Sequence, residues 1–110
     1  MIEIRHSGHA AILTPHHPIT TGHLEELGAG IVTSQRQGIT TLIIDMSEVT
    51  HLDSKGLEAL QDWAIELTEK RFSLRLANPN SVCADVLCAT RIESVVDVFA
   101  TTEDAIRAGR

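Results

Sequence analysis

A nearly continuous apolar run in the middle of the chain, with helical periodicity on both sides, limits the possible folds most. The run, Leu42-Ile43-Ile44, lies in a strand predicted from Ile39 to Met46. Such a run without apolar–polar alternation is typical of a strand that is covered on both faces. Because helical segments precede and follow it, we expect crossover connections and a largely parallel sheet with helices packed on it.

The rest of the chain continues this alternation of strands and helices. Strands are predicted at residues 2–6, 9–14, 39–46, 72–77 and 95–99, the first as an edge strand. Helices are predicted after Thr20 or Thr21, which could act as the cap, after Asp53-Ser54, at residues 81–90 and after Thr101. The expected architecture is an α/β fold of order β-β-α-β-α-β-α-β-α, with a mixed, mostly parallel sheet and about four helices.

Two glycines, Gly28 and Gly30, fall within the first predicted helix. Each weakens a helix by about 1 kcal/mol relative to alanine. They indicate either close packing of the helix on the sheet or an irregular helix.

The charge balance of the chain bears on its partners. Fifteen acidic and nine basic residues leave a formal charge of −6, with histidine counted as neutral. Nucleic-acid affinity needs clustered Lys and Arg, so we expect no nucleic-acid partner, while protein partners and small ligands stay open. No apolar run approaches the roughly 18–20 residues that cross a bilayer. The first six residues also lack the features of a signal peptide, so we expect a cytoplasmic protein without membrane insertion.

An Asp-Ser pair, Asp53-Ser54, stands where the loop after the central strand turns into the second helix. Free N–H groups and the helix dipole favour negative charge at such a position, so the Ser54 hydroxyl is well placed to carry a phosphate. The pair is also an ordinary helix cap, since Asp and Ser are favoured N-cap residues worth about 1 kcal/mol. The residues alone leave both interpretations open.

The sequence Asp53-Ser54-Lys55-Gly56-Leu57 resembles the Asp-Ser-x-Gly-Leu signature of regulatory STAS domains (sulfate transporter and anti-sigma factor antagonist). The resemblance covers nearly the whole chain, because the predicted element order matches the STAS fold and residues 91–106 resemble the family's closing strand and helix. The chain is most similar to a stand-alone anti-sigma factor antagonist. This implies one STAS domain over residues 1–110 that is not itself an enzyme.

The resemblance implies a phosphorylation switch. In anti-sigma factor antagonists the matching serine is phosphorylated by the anti-sigma factor, an ATP-dependent serine kinase, and a serine phosphatase restores the unmodified form. In this sequence Ser54 would be the phosphoacceptor and Asp53 its neighbouring acid. The partner-contact surface that the resemblance implies, called the contact surface below, consists of His51, Leu52, Asp53, Ser54, Lys55, Gly56, His17, Pro18 and Ile19.

Two features depart from the family's usual pattern. Lys55 stands where a small Ser or Thr is usual, and it could pair with Asp53, pair with a phosphate on Ser54, help to select a partner, or be solvated. The sequence Pro15-His16-His17-Pro18 replaces a Gly- and Asp-containing connection. Both departures bear on which partner is bound.

Other chemistry has little support in the sequence. The six histidines include no i, i+4 pair and are accompanied by no cysteine, so we expect no metal site and no cofactor. A triad of His51, Asp53 and Ser54 is rejected, because residues so close on one loop rarely meet the required geometry and no nucleophile elbow is present. No Gly-rich phosphate loop occurs, so nucleotide hydrolysis is not expected.

Two other functions stay open. Single STAS domains also serve as non-switching subunits of larger assemblies, such as stress-sensing complexes or the cytoplasmic part of lipid-transport ABC systems. Others sense a nucleotide or a lipid. A homodimer is compatible with all three functions.

Overall fold

The computed structural model describes residues 2–108. Its strands are β1 (Ile2–Ser7), β2 (Ala10–Pro15), β3 (Thr41–Asp45), β4 (Ser73–Ala77) and β5 (Asp97–Phe99). Its α-helices are α1 (Leu24–Arg36), α2 (Ser54–Glu69), α3 (Ser81–Ala89) and α4 (Thr102–Arg107). Short 3-10 turns at Thr21–His23 and Ile92–Ser94 precede α1 and β5. The predicted α/β element order is confirmed over the described residues.

The strands form one sheet in the order β1-β2-β3-β4-β5. β1 pairs with β2 in antiparallel fashion, and the other neighbours are parallel. β3 lies at the centre and is buried along its whole length, as its apolar run predicted. The mixed, mostly parallel sheet is therefore confirmed.

The two faces of the sheet are covered unequally. Leu42 and Ile44 of β3 belong to the larger core, to which α1, α2 and α3 contribute Leu27, Leu60 and Leu87, among others. Ile43 belongs to a smaller core on the opposite face, where it packs with Ala10, Ile12, Ala77 and Ala105 of α4. The alternation of side chains along β3 thus separates a three-helix face from a face covered by one six-residue helix.

Helix α1 packs closely through its glycines. A Cβ atom on Gly28 would lie 3.3 Å from the ring of Trp63, and one on Gly30 would lie 3.1 Å from Leu13 Cδ2. The helix runs without interruption from Leu24 to Arg36. Close packing on the sheet is therefore correct for Gly30, whereas Gly28 packs on helix α2.

The predicted threonine cap of the first helix is wrong. A 3-10 turn precedes α1, and neither Thr20 before that turn nor His23 before α1 makes a side-chain cap hydrogen bond. Thr21 does not cap the helix because its hydroxyl donates a hydrogen bond to Asp53, 32 residues away.

Each of the five strands also differs from its predicted range by one or two residues at one end or both, β3 for example spanning Thr41–Asp45 and not Ile39 to Met46. Two of these differences have a clear local cause. β2 begins at Ala10 and not at His9, because Gly8, with φ +61°, makes the turn after β1. β5 begins at Asp97 and not at Val95, because the N–H groups of Val95 and Val96 donate to the carbonyl oxygen of Ile92.

A polar cluster ties α4 to the sheet. Asn78, with φ +57°, donates through Nδ2 to Asp45 Oδ1 at 3.1 Å and to Thr102 Oγ1 at 2.8 Å. At the other end of α4, Arg75 Nη1 donates to the carbonyl oxygen of Ala105 at 2.7 Å. Both ends of this short helix are thereby fixed. Within residues 2–108, no helix has the length and apolar character needed to cross a membrane.

Candidate functional site

The first turn of α2 is capped by Asp53. Its backbone is extended (φ −106°, ψ 178°), and Oδ1 accepts a hydrogen bond from the N–H of Gly56 at 2.7 Å. The N–H of Leu57 donates to the Asp53 carbonyl oxygen at 3.0 Å. The cap interpretation of the Asp-Ser pair is therefore correct, and it leaves the serine itself available for another role.

Ser54 is the first residue of α2 and is exposed. Its hydroxyl makes no hydrogen bond to any residue that the structure describes. The first N–H groups of a helix lack intrahelical acceptors, so the N–H groups of Ser54 and Lys55 add to the positive end of the helix dipole here. An anion attached to Ser54 would lie in a favourable field.

The second carboxylate oxygen of Asp53 binds the loop that connects β2 to α1, residues 16–23, called the β2–α1 loop below. Asp53 Oδ2 accepts from the N–H of Thr21 at 3.0 Å and from its Oγ1 hydroxyl at 3.1 Å. The N–H of Thr21, followed by that of Gly56, holds the pKa of Asp53 below its ordinary value of 3.8. The carboxylate is therefore ionised at neutral pH.

This lowered pKa predicts how the contact responds to acid. A carboxyl whose pKa is lower in the folded state than in the unfolded state contributes stability above its unfolded pKa, and that contribution is lost as the pH falls through the folded pKa. A carbon-13 NMR titration of the Asp53 carboxyl should give a midpoint below 3.8. Thr21→Val should move the midpoint upward, because it removes one donor. A midpoint at or above 3.8 in the wild type would contradict the observed contacts.

The backbone of the β2–α1 loop also lies directly against the start of α2. Ile19 and Leu52 form an isolated parallel bridge, with the Ile19 N–H donating to the His51 carbonyl oxygen at 3.2 Å. The N–H of Asp53 donates back to the Ile19 carbonyl oxygen at 3.4 Å. A Cβ atom on Gly56 would clash with that same carbonyl oxygen and lie 3.1 Å from Ile19 Cγ2. Glycine is thus required at position 56 by the close approach of the loop.

The residues of the contact surface differ in their exposure. His51, Ser54 and Lys55 are exposed, Leu52, Asp53 and Pro18 are half-buried, and His17, Ile19 and Gly56 are buried. Ile19 has no exposed side chain, so it supports the surface from beneath and offers nothing for a partner to touch. Partner binding by the other eight residues stays a prediction.

His17 holds the β2–α1 loop together. Its Nδ1 donates to the Pro18 carbonyl oxygen at 2.9 Å, and its Nε2 lies 3.3 Å from Glu26 Oε1 on α1. The imidazole ring stacks on that of His23, with ring centroids 4.4 Å apart. These contacts make His17 a structural residue of the loop.

Lys55 does not pair with Asp53, one of the alternatives for this residue. Its ammonium group lies 4.0 Å from Glu58 Oε1 in an exposed i,i+3 pair. Such exposed pairs contribute about 0–1 kcal/mol, so Lys55 can turn toward another group at little energetic cost.

The start of α3 adjoins the loop that leads to Ser54. Asn80 Nδ2 donates to the carbonyl oxygens of Val49 and Thr50, at 3.2 Å each, and Asn80 Oδ1 caps α3 through the N–H of Cys83. Ser81 is therefore the first residue of α3 and is exposed, in the same helix position as Ser54 in α2.

Sequence reasoning missed Thr21 as a partner of Asp53 and Asn80 as the support of the loop before Ser54. Both contacts join residues 30 or more positions apart, and no local pattern signals them. Within residues 2–108, no group of three or more His, Cys, Asp and Glu side chains is arranged to hold a metal ion.

Comparisons with known proteins identify a family and several sulfate transporters of similar sequence. A family model described as STAS domain matches residues 1–105. High affinity sulfate transporter 2 of Stylosanthes hamata is 32% identical over 82 residues, which are 72% of this chain and 12% of the transporter. The chain spans only 11–12% of the length of the curated transporters that it matches.

Solved structures of anti-sigma factor antagonists share the fold. A Thermotoga maritima protein provisionally described as such an antagonist has a TM-score of 0.86 at 17% identity, with 96% of this chain and 91% of that chain covered. The antagonist SpoIIAA in its unphosphorylated form has a TM-score of 0.76 at 20% identity, with 96% and 93% covered. The phosphorylated form of the Bacillus protein has a TM-score of 0.72 at 21% identity, with both chains covered completely.

Proposed function

The chain belongs to the STAS domain family, and we propose that it acts as a regulatory binding protein in the manner of an anti-sigma factor antagonist. In its unmodified form it binds an anti-sigma factor of the serine kinase type in the cytoplasm. Phosphorylation of Ser54 by that kinase ends the binding, and a serine phosphatase restores it. The chain itself catalyses no reaction in this proposal.

The observation that carries the proposal is the Ser54 hydroxyl. It is exposed and makes no hydrogen bond to the described residues, although Asp53 just before it is held both by the N–H of Gly56 and by the β2–α1 loop. A kinase can therefore reach this oxygen without unfolding the helix. A SpoIIAA of the same fold has been solved in a phosphorylated form, which supports the view that a phosphate is compatible with this architecture.

A phosphate on Ser54 would act mainly at the interface. It adds about −1.5 to −2 charges and a bulky hydrated group to a neutral surface position. Asp53, Glu48 and Glu58 lie close in sequence, so the phosphate increases an existing negative charge and repels an acidic partner surface. A hundredfold loss of affinity requires about 2.7 kcal/mol, which one clashing or desolvated phosphate can supply.

The test is a comparison of three baits in lysate of the organism that encodes the chain. The wild type, Ser54→Asp and Ser81→Asp are immobilised, and both partners and baits are analysed by mass spectrometry. We expect the wild type to recover an ATP-binding serine kinase, with phosphate on Ser54, and Ser54→Asp to recover at least about tenfold less of it.

Ser81→Asp is the matched control, because it adds the same charge at the first residue of the neighbouring helix. It should recover the kinase as the wild type does. Equal recovery by all three baits, with Ser54 unmodified, would contradict the switch.

A second candidate function has its own support in the 32% identity to a plant sulfate transporter. In that case the chain is a non-switching STAS subunit or part of a larger assembly, and the contact surface docks on another domain without phosphorylation. Recovery of transporter or other STAS subunits by all three baits would favour this second function.

A further inference from the structure

The contact surface is built from two segments that are distant in sequence. One is the β2–α1 loop, and the other is the start of α2 with the residues just before it. Their backbones meet at Ile19 and Leu52, and exposed Thr21 lies within hydrogen-bond distance of Asp53, next to Ser54. A protein that reaches the Ser54 hydroxyl therefore meets the β2–α1 loop at the same time.

Asp53 is the side chain that joins the two segments. One oxygen of its carboxylate accepts from Gly56 in its own helix, and the other accepts two donors from Thr21 in the loop. Hydrogen bonds to an ionised carboxylate are about twice as strong as those between neutral groups. No other side chain of the start of α2 bonds to the β2–α1 loop among the described residues.

We propose that Asp53 is the positioning residue of the contact surface, and that through Thr21 it holds the β2–α1 loop in the conformation that the partner binds. This role rests on the proposed function, because the partner is the protein kinase that modifies Ser54. Asp53 does not itself touch the reacting hydroxyl. It acts by fixing the loop beside that hydroxyl.

The substitution Asp53→Asn distinguishes the positioning of the loop from the capping of α2. Asparagine is as good an N-cap residue as aspartate, so Asp53→Asn retains an oxygen for the Gly56 N–H. Its amide nitrogen, however, would face the Thr21 N–H, and two donors cannot bond to each other. The variant should therefore preserve the start of α2 and release the loop.

The first measurement is amide hydrogen exchange by NMR on the free protein. Asp53→Asn should speed exchange at Thr21 about tenfold or more and leave Gly56 within about twofold of the wild type. Thr21→Val, which removes only the hydroxyl, should have a smaller effect. Thr20→Val should have none, because the Thr20 hydroxyl bonds to no described residue. Unchanged exchange at Thr21, or equal loss of protection at Thr21 and Gly56, would overturn the proposal.

The second measurement is steady-state phosphorylation of Ser54 by the kinase that modifies the wild type. Asp53→Asn should raise KM about tenfold and change kcat by less than about threefold, because a displaced loop weakens binding and not phosphoryl transfer. An unchanged KM would overturn the positioning role. If no kinase modifies wild-type Ser54, the proposed function fails, whereas the exchange measurement still decides whether Asp53 holds the loop.

Discussion

Gly56→Ala is expected to lower the free energy of unfolding by about 3 kcal/mol, which corresponds to a fall in Tm of roughly 10–20 °C. The added Cβ would clash with the carbonyl oxygen of Ile19, which is backbone and cannot rotate away. Relief requires α2 to move from the β2–α1 loop, which would break the Ile19–Leu52 bridge and the contact between Thr21 and Asp53. Chemical denaturation of the two proteins measures the difference.

Gly22→Ala is the control for this substitution. A Cβ on Gly22 meets nothing within 4 Å and the residue does not need a positive φ, so its stability should change by less than about 0.5 kcal/mol. Equal stabilities of Gly56→Ala and Gly22→Ala would mean that the loop can retreat from α2 without cost. That result would remove the structural reason for glycine at position 56.

Asn78→Ala is expected to lower the free energy of unfolding by about 3 kcal/mol. Alanine at φ +57° is strained by about 1–2 kcal/mol, whereas asparagine tolerates this conformation better. The substitution also removes the donor to buried Asp45 and the link to Thr102 of α4. Thermal unfolding followed by calorimetry measures the loss.

Asn78→Gly separates the two causes. Glycine adopts the left-handed conformation freely, so this variant loses the hydrogen bonds but avoids the strain, and it should be about 1 kcal/mol more stable than Asn78→Ala. If the two variants are equally stable, backbone strain at this position is no larger than the roughly 0.5–1 kcal/mol of extra conformational entropy that glycine loses on folding, and the hydrogen bonds account for most of the effect.

The features that depend on neighbouring residues were predictable from the sequence. The apolar run Leu42-Ile43-Ile44 correctly placed β3 at the centre of the sheet, because a strand that is buried on both faces has apolar residues at consecutive positions. The pair Asp53-Ser54 correctly marked the start of α2, because an N-cap acts within three residues.

The features that depend on tertiary contacts were not predictable. Thr21 was predicted as one candidate for the helix cap. Its N–H and hydroxyl instead donate to Asp53, because an ionised carboxylate is a stronger acceptor than a neutral group of a local turn. Gly56 was recognised only as part of a motif, because the reason for it, the Ile19 carbonyl oxygen, lies 37 positions away in the chain. The two segments of the contact surface and Asp53 itself were named from the sequence, but not the hydrogen bonds from Thr21 through which Asp53 joins the segments.

Because one face of the sheet is covered by a single short helix, the fold can open locally at that helix. Helix α4 has six residues, too few to stay helical without its neighbours, and it is held by Arg75 at one end and by Asn78 at the other. We expect its detachment to cost less free energy than global unfolding. Such an opening would bare a strip of Ala10, Ile12, Ile43 and Ala77 across three adjacent strands. A molecule in that state is still mostly folded but exposes apolar surface to other copies, so α4 also protects the protein against aggregation.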